Sequence, residues 1–230
     1  MRLAIATAIW QRPEVFRIFA ANTLKLIAES NAHEFKVFCA GSEGDVSEAL
    51  AKDYGFAYIE HPNKPLWAKW NAVVKACEDW QPDYVLMMGS DDVMDAKLLN
   101  NYRRHMNRCV DFIGCLDWYF YDLRSGAAIY WGGYKEISRR GKTVGAGRML
   151  SSDLLTRLNW QPWQQPLDGE GMDGTMMRRL EGIPYTKAAI RMGDGTGVDI
   201  KSDTNITTFA MWPNSRPIKS EVITTRFHWL

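Results

Sequence analysis

Residues 84–92 read YVLMMGSDD, an apolar run that stops at two adjacent carboxylates, Asp91 and Asp92. An uninterrupted apolar segment of this kind reads as a strand buried on both faces, which calls for helices on either side of a mostly parallel sheet. Open α/β sheets take their ligands in the crevice beyond the carboxyl ends of the strands, where this pair falls. Two neighbouring carboxylates repel each other. A divalent cation that prefers oxygen ligands, magnesium or manganese, relieves the repulsion and usually brings a substrate phosphate with it. The same pair also suits turn chemistry, and an aspartate here is suited to cap a helix expected to begin near Asp95.

Working outward, the first half of the chain alternates strand and helix signals. Strands are expected over residues 3–9, 35–40 and 56–60, and helices over 13–29, 46–54 and 66–80, the first opened by Pro13. This is the βαβ pattern, so the expected fold is α/β with a mostly parallel sheet and helices on both faces. The second half differs and predicts a smaller region with a hairpin and helices. A strand is expected over 111–121, its return arm over 126–131, a basic glycine-rich loop over 138–148, helices over 151–158 and 172–181, and a last strand over 185–192. One domain spans 1–230 on this reading: a nucleotide-binding half (1–109), an acceptor-shaping half (110–192) and a polar tail (193–230).

A chain of 230 residues is long enough to bury a proper core. A formal charge of +1 disfavours a general nucleic-acid-coating role. Cys39, Cys77, Cys109 and Cys115 lack metal-ligand spacing and read as reduced core residues of a cytoplasmic protein. The apolar residues 3–10 are followed by Gln-Arg-Pro rather than a small-residue cleavage site, so they read as a strand and not a signal peptide. No stretch approaches the roughly 20 apolar residues of a membrane span. Ten tryptophans offer material for a sugar or base pocket, although large aromatics more often serve core and rim.

With the elements in this order, residues 1–181 resemble the GT-A fold glycosyltransferases, in particular the family-two-like group. The sharpest segment is 62–92, PNKPLWAKWNAVVKA followed by YVLMMGSDD, which is similar to that family's asparagine-bearing helix and its Asp-x-Asp metal motif. Here Gly89-Ser90-Asp91-Asp92 stands in that place and the first acid is missing. The resemblance implies Asp91 and Asp92 as ligands of Mn2+ or Mg2+, with the ion held mainly by a donor diphosphate. It also sets Thr7, Ala8, Arg12 and Ser90 against the nucleotide, passes base recognition to Ser42, Glu43 or Asp45, and makes Lys69, Asn71 and the loop residue Asn63 donor-side candidates. A lysine offsets diphosphate charge, and an asparagine gives donor and acceptor to a base or ribose. A solvated helix face is the plainer account of the same residues.

The segment 167–174, LDGEGMDG, supplies three acids before an expected helix, matching the family's acidic segment. Asp173, then Glu170, then Asp168 are the candidates for a carboxylate beside the acceptor. Acids at a helix start are also favoured by the helix dipole with no chemistry involved. Arg148, in the glycine-rich loop with Arg139, Arg140 and Lys142, and Lys201, in VDIKSDTNIT, are further phosphate contacts. His228 is a third metal ligand by analogy with GT-A tails, and a lone histidine between aromatics is otherwise simply packed.

The expected activity is metal-dependent transfer of a sugar from a nucleotide-diphosphate donor, UDP being commonest in the resembling family, to a hydroxyl on a saccharide or on a hydroxymethylated base in DNA. For DNA, the basic clusters around Arg103, Arg139 and Arg178 would contact phosphates and the base would leave the stack. A nucleotidyltransferase shares the front half, but it calls for a glycine-rich loop after the first strand, whereas Ala8-Ile9-Trp10-Gln11-Arg12 has no glycine. A non-catalytic sugar-nucleotide-binding protein is the third class, kept open by the missing first acid.

Overall fold

The alternation of the first 87 residues is present as four parallel strands. β1 (Arg2–Ala8) lies between β2 (Glu34–Gly41) and β4 (Tyr84–Met87), with β3 (Ala57–Glu60) outside β2. The connections are α1 (Pro13–Glu29), α2 (Asp45–Lys52) and α3 (Leu66–Ala76), the last ending at Cys77 in a short 3-10 turn rather than running on to Trp80 as one helix. The structure, a computed structural model, describes residues 1–30, 34–202 and 215–227.

Side chains alternate across the sheet and so feed two cores. Leu3, Ile5 and Leu86 pack beneath Phe16 and Phe19 of α1. Ala4, Ala6 and Val85 pack on the other face beneath Val73 and Val74 of α3 and beneath Leu154 and Met176, which belong to α5 (Ser152–Arg157) and α6 (Met172–Arg179). Helices therefore cover both faces, as the apolar run of β4 requires. Each large side chain withdrawn in this way contributes about 1.5–3 kcal/mol.

The apolar run 84–92 serves two sheets rather than one. After β4 the chain turns at Gly89–Asp91 and enters β5 (Asp92–Met94), an edge strand of a second sheet, followed by α4 (Ala96–Met106). Residues 111–121 divide in the same way, into β6 (Phe112–Cys115) of the first sheet and β7 (Trp118–Asp122) of the second. The break is at Asp117, a buried carboxylate that accepts from Met192 N–H (2.9 Å) and the Tyr130 hydroxyl (2.7 Å), so this polar group interrupts what reads as one strand. The hairpin through 124–126 forms as expected, with β8 (Ala128–Trp131) antiparallel to β7. β9 (Arg148–Ser151) runs antiparallel between β4 and β6, and β10 (Lys187–Ile190) pairs parallel with β6.

The largest departure is in residues 193–230, read from sequence as a tail. β11 (Gly197–Lys201) is inserted between β7 and β5, parallel to the first and antiparallel to the second. β12 (Ser215–Ile218) pairs with β8, and α7 (Glu221–Thr224) packs Ile223 into a third apolar cluster with Val93, Val198 and Ile200. The sheet orders are β10-β6-β9-β4-β1-β2-β3 and β12-β8-β7-β11-β5. Trp118, Trp131, Trp160 and Trp163 are buried in the cores, while Trp10 is exposed. Cys39, Cys77 and Cys115 are buried free thiols, but Cys109 is exposed and not a core residue. No described helix is long and apolar enough to cross a membrane.

Candidate active site

The two sheets meet where β4 hands over to β5. Met88 N–H still bonds Ala6 O (3.0 Å), after which Asp92 N–H donates to Gly89 O (3.0 Å) and Gly89 N–H donates back to Asp92 Oδ2 (2.8 Å), closing the turn at both ends. The cap of α4 is Asp95, which accepts from Leu98 N–H (2.9 Å), so Asp91 and Asp92 are not used for capping. A Cβ placed on Gly89 falls 2.6 Å from Asp91 Oδ1 and 2.7 Å from Asp92 Oδ2. Both carboxylates thus converge on the space that the side chain of a motif's first acid takes up. Any residue but glycine at 89 displaces them.

Arg12 comes to the same place from the start of α1. Its backbone occupies the N-cap, Pro13 opens the helix, and the guanidinium reaches Asp91 Oδ2 (2.7 Å) and Ser90 Oγ (3.0 Å). From the other side β11 brings Asp199 opposite Asp92 in the ladder, and Ile200 N–H bonds Asp91 O (2.7 Å). Lys201 donates to Asp199 Oδ2 (2.7 Å), while Asp199 Oδ1 is buried without a hydrogen-bond partner among the described residues. Burial pushes the Asp199 carboxyl up to about 7, the nearby Asp91 adds to this, and Lys201 opposes it. Asp92 is likewise held well above the ordinary carboxylate range by burial, then by Asp199 and Asp91. Sequence reasoning missed Asp199. The alternation in Val198-Asp199-Ile200-Lys201 is the signal that marks a half-buried strand with both charges on one face.

Lys201, expected as a phosphate contact, is committed to Asp199 and lies over the Phe120 ring at 5.1 Å. Among the described residues no three His, Cys, Asp or Glu side chains form a metal cage. Asp91 and Asp92 nonetheless fit an ion of the magnesium or manganese kind, which is typically bound by one or two carboxylates and completes its shell with substrate phosphate and water. His228 lies outside the described residues.

Most of the other residues expected on the donor side are buried and used within the fold. Lys69 is expected against a diphosphate; the structure instead buries it and spends its ammonium on Ile9 O (2.6 Å), Ser42 Oγ (2.6 Å) and Asn63 Oδ1 (3.2 Å). Burial pulls its pKa down to about 8 against the opposing pull of Cys39, Glu43 and Glu60. Ser42 also donates to His61 O (2.7 Å), and Glu43 accepts from Gln11 N–H (2.9 Å), so the ends of β1 and β2 and the loop before α3 are tied together. Asn71 is committed as well: its amide donates to Trp163 O (2.9 Å) and accepts from Trp163 N–H (3.0 Å). Thr7 is fully buried within β1 rather than at its end, and its hydroxyl has no partner among the described residues. Ala8 is half-buried at the strand's end.

The acids of 167–174 divide by partner. Asp173, in the first turn of α6, pairs with Arg148 (3.2 Å) and keeps a side chain 46% exposed. Arg148, expected as a phosphate contact in the glycine-rich loop, is buried; it opens β9 and donates to Thr143 O (3.0 Å) and Val144 O (3.1 Å). A Cβ on Gly145 falls 2.3 Å from Asp173 Oδ1, so the loop passes against that carboxylate. Glu170 is clamped by Arg178 (2.8 Å) and by Leu167 N–H (3.0 Å), and the Arg178 hydrogen bond lowers its pKa. Asp168 is exposed.

Comparison with solved structures agrees with this architecture. The S. aureus TarS fragment 1–349 in complex with UDP-GlcNAc matches with a TM-score of 0.60 at 13% identity, over 89% of this chain and 60% of that one. The mannosyltransferase PcManGT from Pyrobaculum calidifontis in complex with GDP-Man and Mn2+ matches with a TM-score of 0.62 at 10% identity, over 91% and 59%. The fold is of the GT-A type. The GT-A chain described here spans about 60% of the length of those two proteins. CMP:2-keto-3-deoxy-manno-octonic acid synthetase complexed with CTP matches with a TM-score of 0.53 at 12% identity, over 92% and 95%. No protein-family model and no curated protein sequence matches the chain.

Proposed function

We propose that this protein is a glycosyltransferase that binds a nucleoside-diphosphate sugar with a divalent ion, magnesium or manganese, and passes the sugar to a hydroxyl acceptor. The observation that carries the reading is the convergence of Asp91 and Asp92 over Gly89 at the carboxyl end of β4. An ion held by Asp91 and Asp92 would supply positive charge to the departing diphosphate. Arg12, already beside Asp91, places a second cation on the donor side, and Ser42 and Asn63 border the nucleoside's seat, with Lys69 buried behind them as a brace. Asp173 takes the proton of the acceptor hydroxyl as that oxygen bonds the anomeric carbon. The bond from this carbon to the diphosphate breaks and its electron pair leaves with the phosphate. Arg148 holds Asp173 in place. The unpaired cysteines go with a cytoplasmic setting.

The test is thermal stability with UDP, GDP and their sugar forms, with and without manganese, since a ligand of the folded state raises its apparent stability. A diphosphate that stabilises only with metal, and fails to do so in Asp91→Ala, supports the assignment; an unchanged shift in that variant removes it. A nucleotidyltransferase is the second reading, supported by the near-complete coverage of the CMP:2-keto-3-deoxy-manno-octonic acid synthetase. It is distinguished by release of pyrophosphate from a nucleoside triphosphate and a sugar acid, where the first reading predicts nucleoside diphosphate.

A further inference from the structure

A cavity of about 550 Å³ opens between the N-terminal ends of α3 and α6, and neither end is accounted for by the donor side. Leu66 and Trp67 line it from the α3 side, and Gln165, Pro166, Glu170 and Met172 from the segment leading into α6. Its walls are fixed before any ligand arrives. The buried Asn71 on α3 clips both backbone groups of Trp163, whose ring packs 5.3 Å from that of Trp70, and this sets the strand of chain leading to Gln165. Arg178 on α6 then donates to Gln165 O (2.7 Å) and to Glu170 (2.8 Å), while Glu170 accepts from Leu167 N–H, so the segment 165–170 is closed on itself. Asn71 is thus a positioning residue for this wall.

We propose that this cavity holds a pyranose ring of the acceptor, which is therefore a neutral saccharide. The inference rests on the transferase reading. A sugar ring has an apolar C–H face and a rim of hydroxyls, and the cavity answers both. The half-buried Trp67 indole offers a broad apolar surface, and Pro166 and Met172 add to the apolar lining. Gln165 supplies an amide and Glu170 a carboxylate for the hydroxyls. The volume suits one or two hexose units. Glu170 and Met172, which line the cavity, closely precede Asp173 in the chain, so the cavity opens on the segment that carries the carboxylate assigned as base. The described lining holds one charged side chain, Glu170, and no Lys or Arg, which disfavours a polyanionic acceptor.

The experiment is saturation-transfer NMR of the full chain with methyl glycosides of glucose, galactose, mannose and N-acetylglucosamine, run beside the UDP and manganese thermal shift. The expected result is binding of at least one glycoside, about tenfold weaker in Trp67→Ala, weaker also in Gln165→Ala, partly restored in Trp67→Phe, with the UDP shift unchanged in all three. Gln165 is exposed, so its variant keeps the question open to test if Trp67→Ala does not fold. No glycoside binding by the native chain, or equal binding by folded Trp67→Ala and Gln165→Ala, overturns the proposal. So does a loss of UDP-sugar affinity in Trp67→Ala with UDP unaffected, which assigns the cavity to the donor's sugar. A native chain that binds glycosides through Trp67 but shows no metal-dependent UDP shift strikes the transferase reading while leaving the saccharide site standing.

Discussion

Two charged regions lie at the ends of the central strands, and they are built on opposite principles. Around Lys69 every polar group has a partner: one buried ammonium meets three oxygens drawn from the ends of β1 and β2 and from the loop before α3. Around Asp92 the balance is left open. Three carboxylates crowd together, two of them hold protons more tightly than usual, and Asp199 Oδ1 has no partner among the described residues. A fully satisfied buried charge serves as scaffold, whereas crowded like charges are costly unless something else binds there. The contrast separates the residues that hold the site together from those that await a ligand.

The sharpest test is to remove one member of the crowded group. Asp91→Ala is expected to lower sugar transfer by about a thousandfold, or ~4 kcal/mol, through loss of an ion ligand. Its stability should change little, because the pair with Arg12 is only partly buried and such pairs contribute about 0–1 kcal/mol. Turnover and thermal melts together check this, and a large fall in melting temperature would place Asp91 in the scaffold. Lys69→Ala should do the reverse. Losing three hydrogen bonds costs about 3 kcal/mol, or roughly 6–12 °C, with turnover per folded molecule nearly kept. A melt within 2 °C of native, on the order of 1 kcal/mol or less, would show that Lys69 is not a brace.

Gly89→Ala probes the shared space between the two carboxylates. Overpacking of this kind costs about 2 kcal/mol, and the cost should appear as roughly thirtyfold weaker manganese-dependent UDP binding, measured by titration. Unchanged binding would mean that the acids do not act from this geometry. The smallest effect is in pH. A carboxyl held above its ordinary value keeps a proton in the folded state that the unfolded chain gives up, so the contribution of Asp199 falls as pH rises from 3.8 toward about 7. Melting temperatures of the metal-free protein should decline across that window, less steeply in Asp199→Asn, with the variant a few degrees more stable at pH 8. Parallel curves would show that Asp199 is not crowded.

The front half was readable because its signals are local. An apolar strand, a proline-opened helix and a turn recur in order, and they require the observed parallel sheet and the acidic turn at its edge. Of the second sheet only the β7–β8 hairpin was readable; β5, β11 and β12 are short and come from distant segments, so nothing local announced them. The break at Asp117 depends on Tyr130 and Met192, which no window around residue 117 contains. Candidate residues followed the same rule. Asp91, Asp92 and Ser90 share one turn, which Arg12 joins from the start of α1, whereas Asn71, Lys69 and Arg148 are buried and each has a partner 25 or more residues away, and Lys201 lies on a strand the sequence did not announce. Polarity marked them; only the fold shows what their polarity is spent on.

The placement of β11 bears on the order of assembly. β5 is an edge strand whose one ladder neighbour among the described residues is β11, more than 100 positions later in the chain. During synthesis the first sheet's β1–β4 unit can close early, while the segment 92–94 waits without a strand to pair with until residue 201 has left the ribosome. Contacts so remote in sequence form slowly. A nascent chain halted before that point should therefore hold a folded β1–β4 sheet and an unfinished acidic turn, so that on the proposed function the ion's seat is completed late in the life of each molecule.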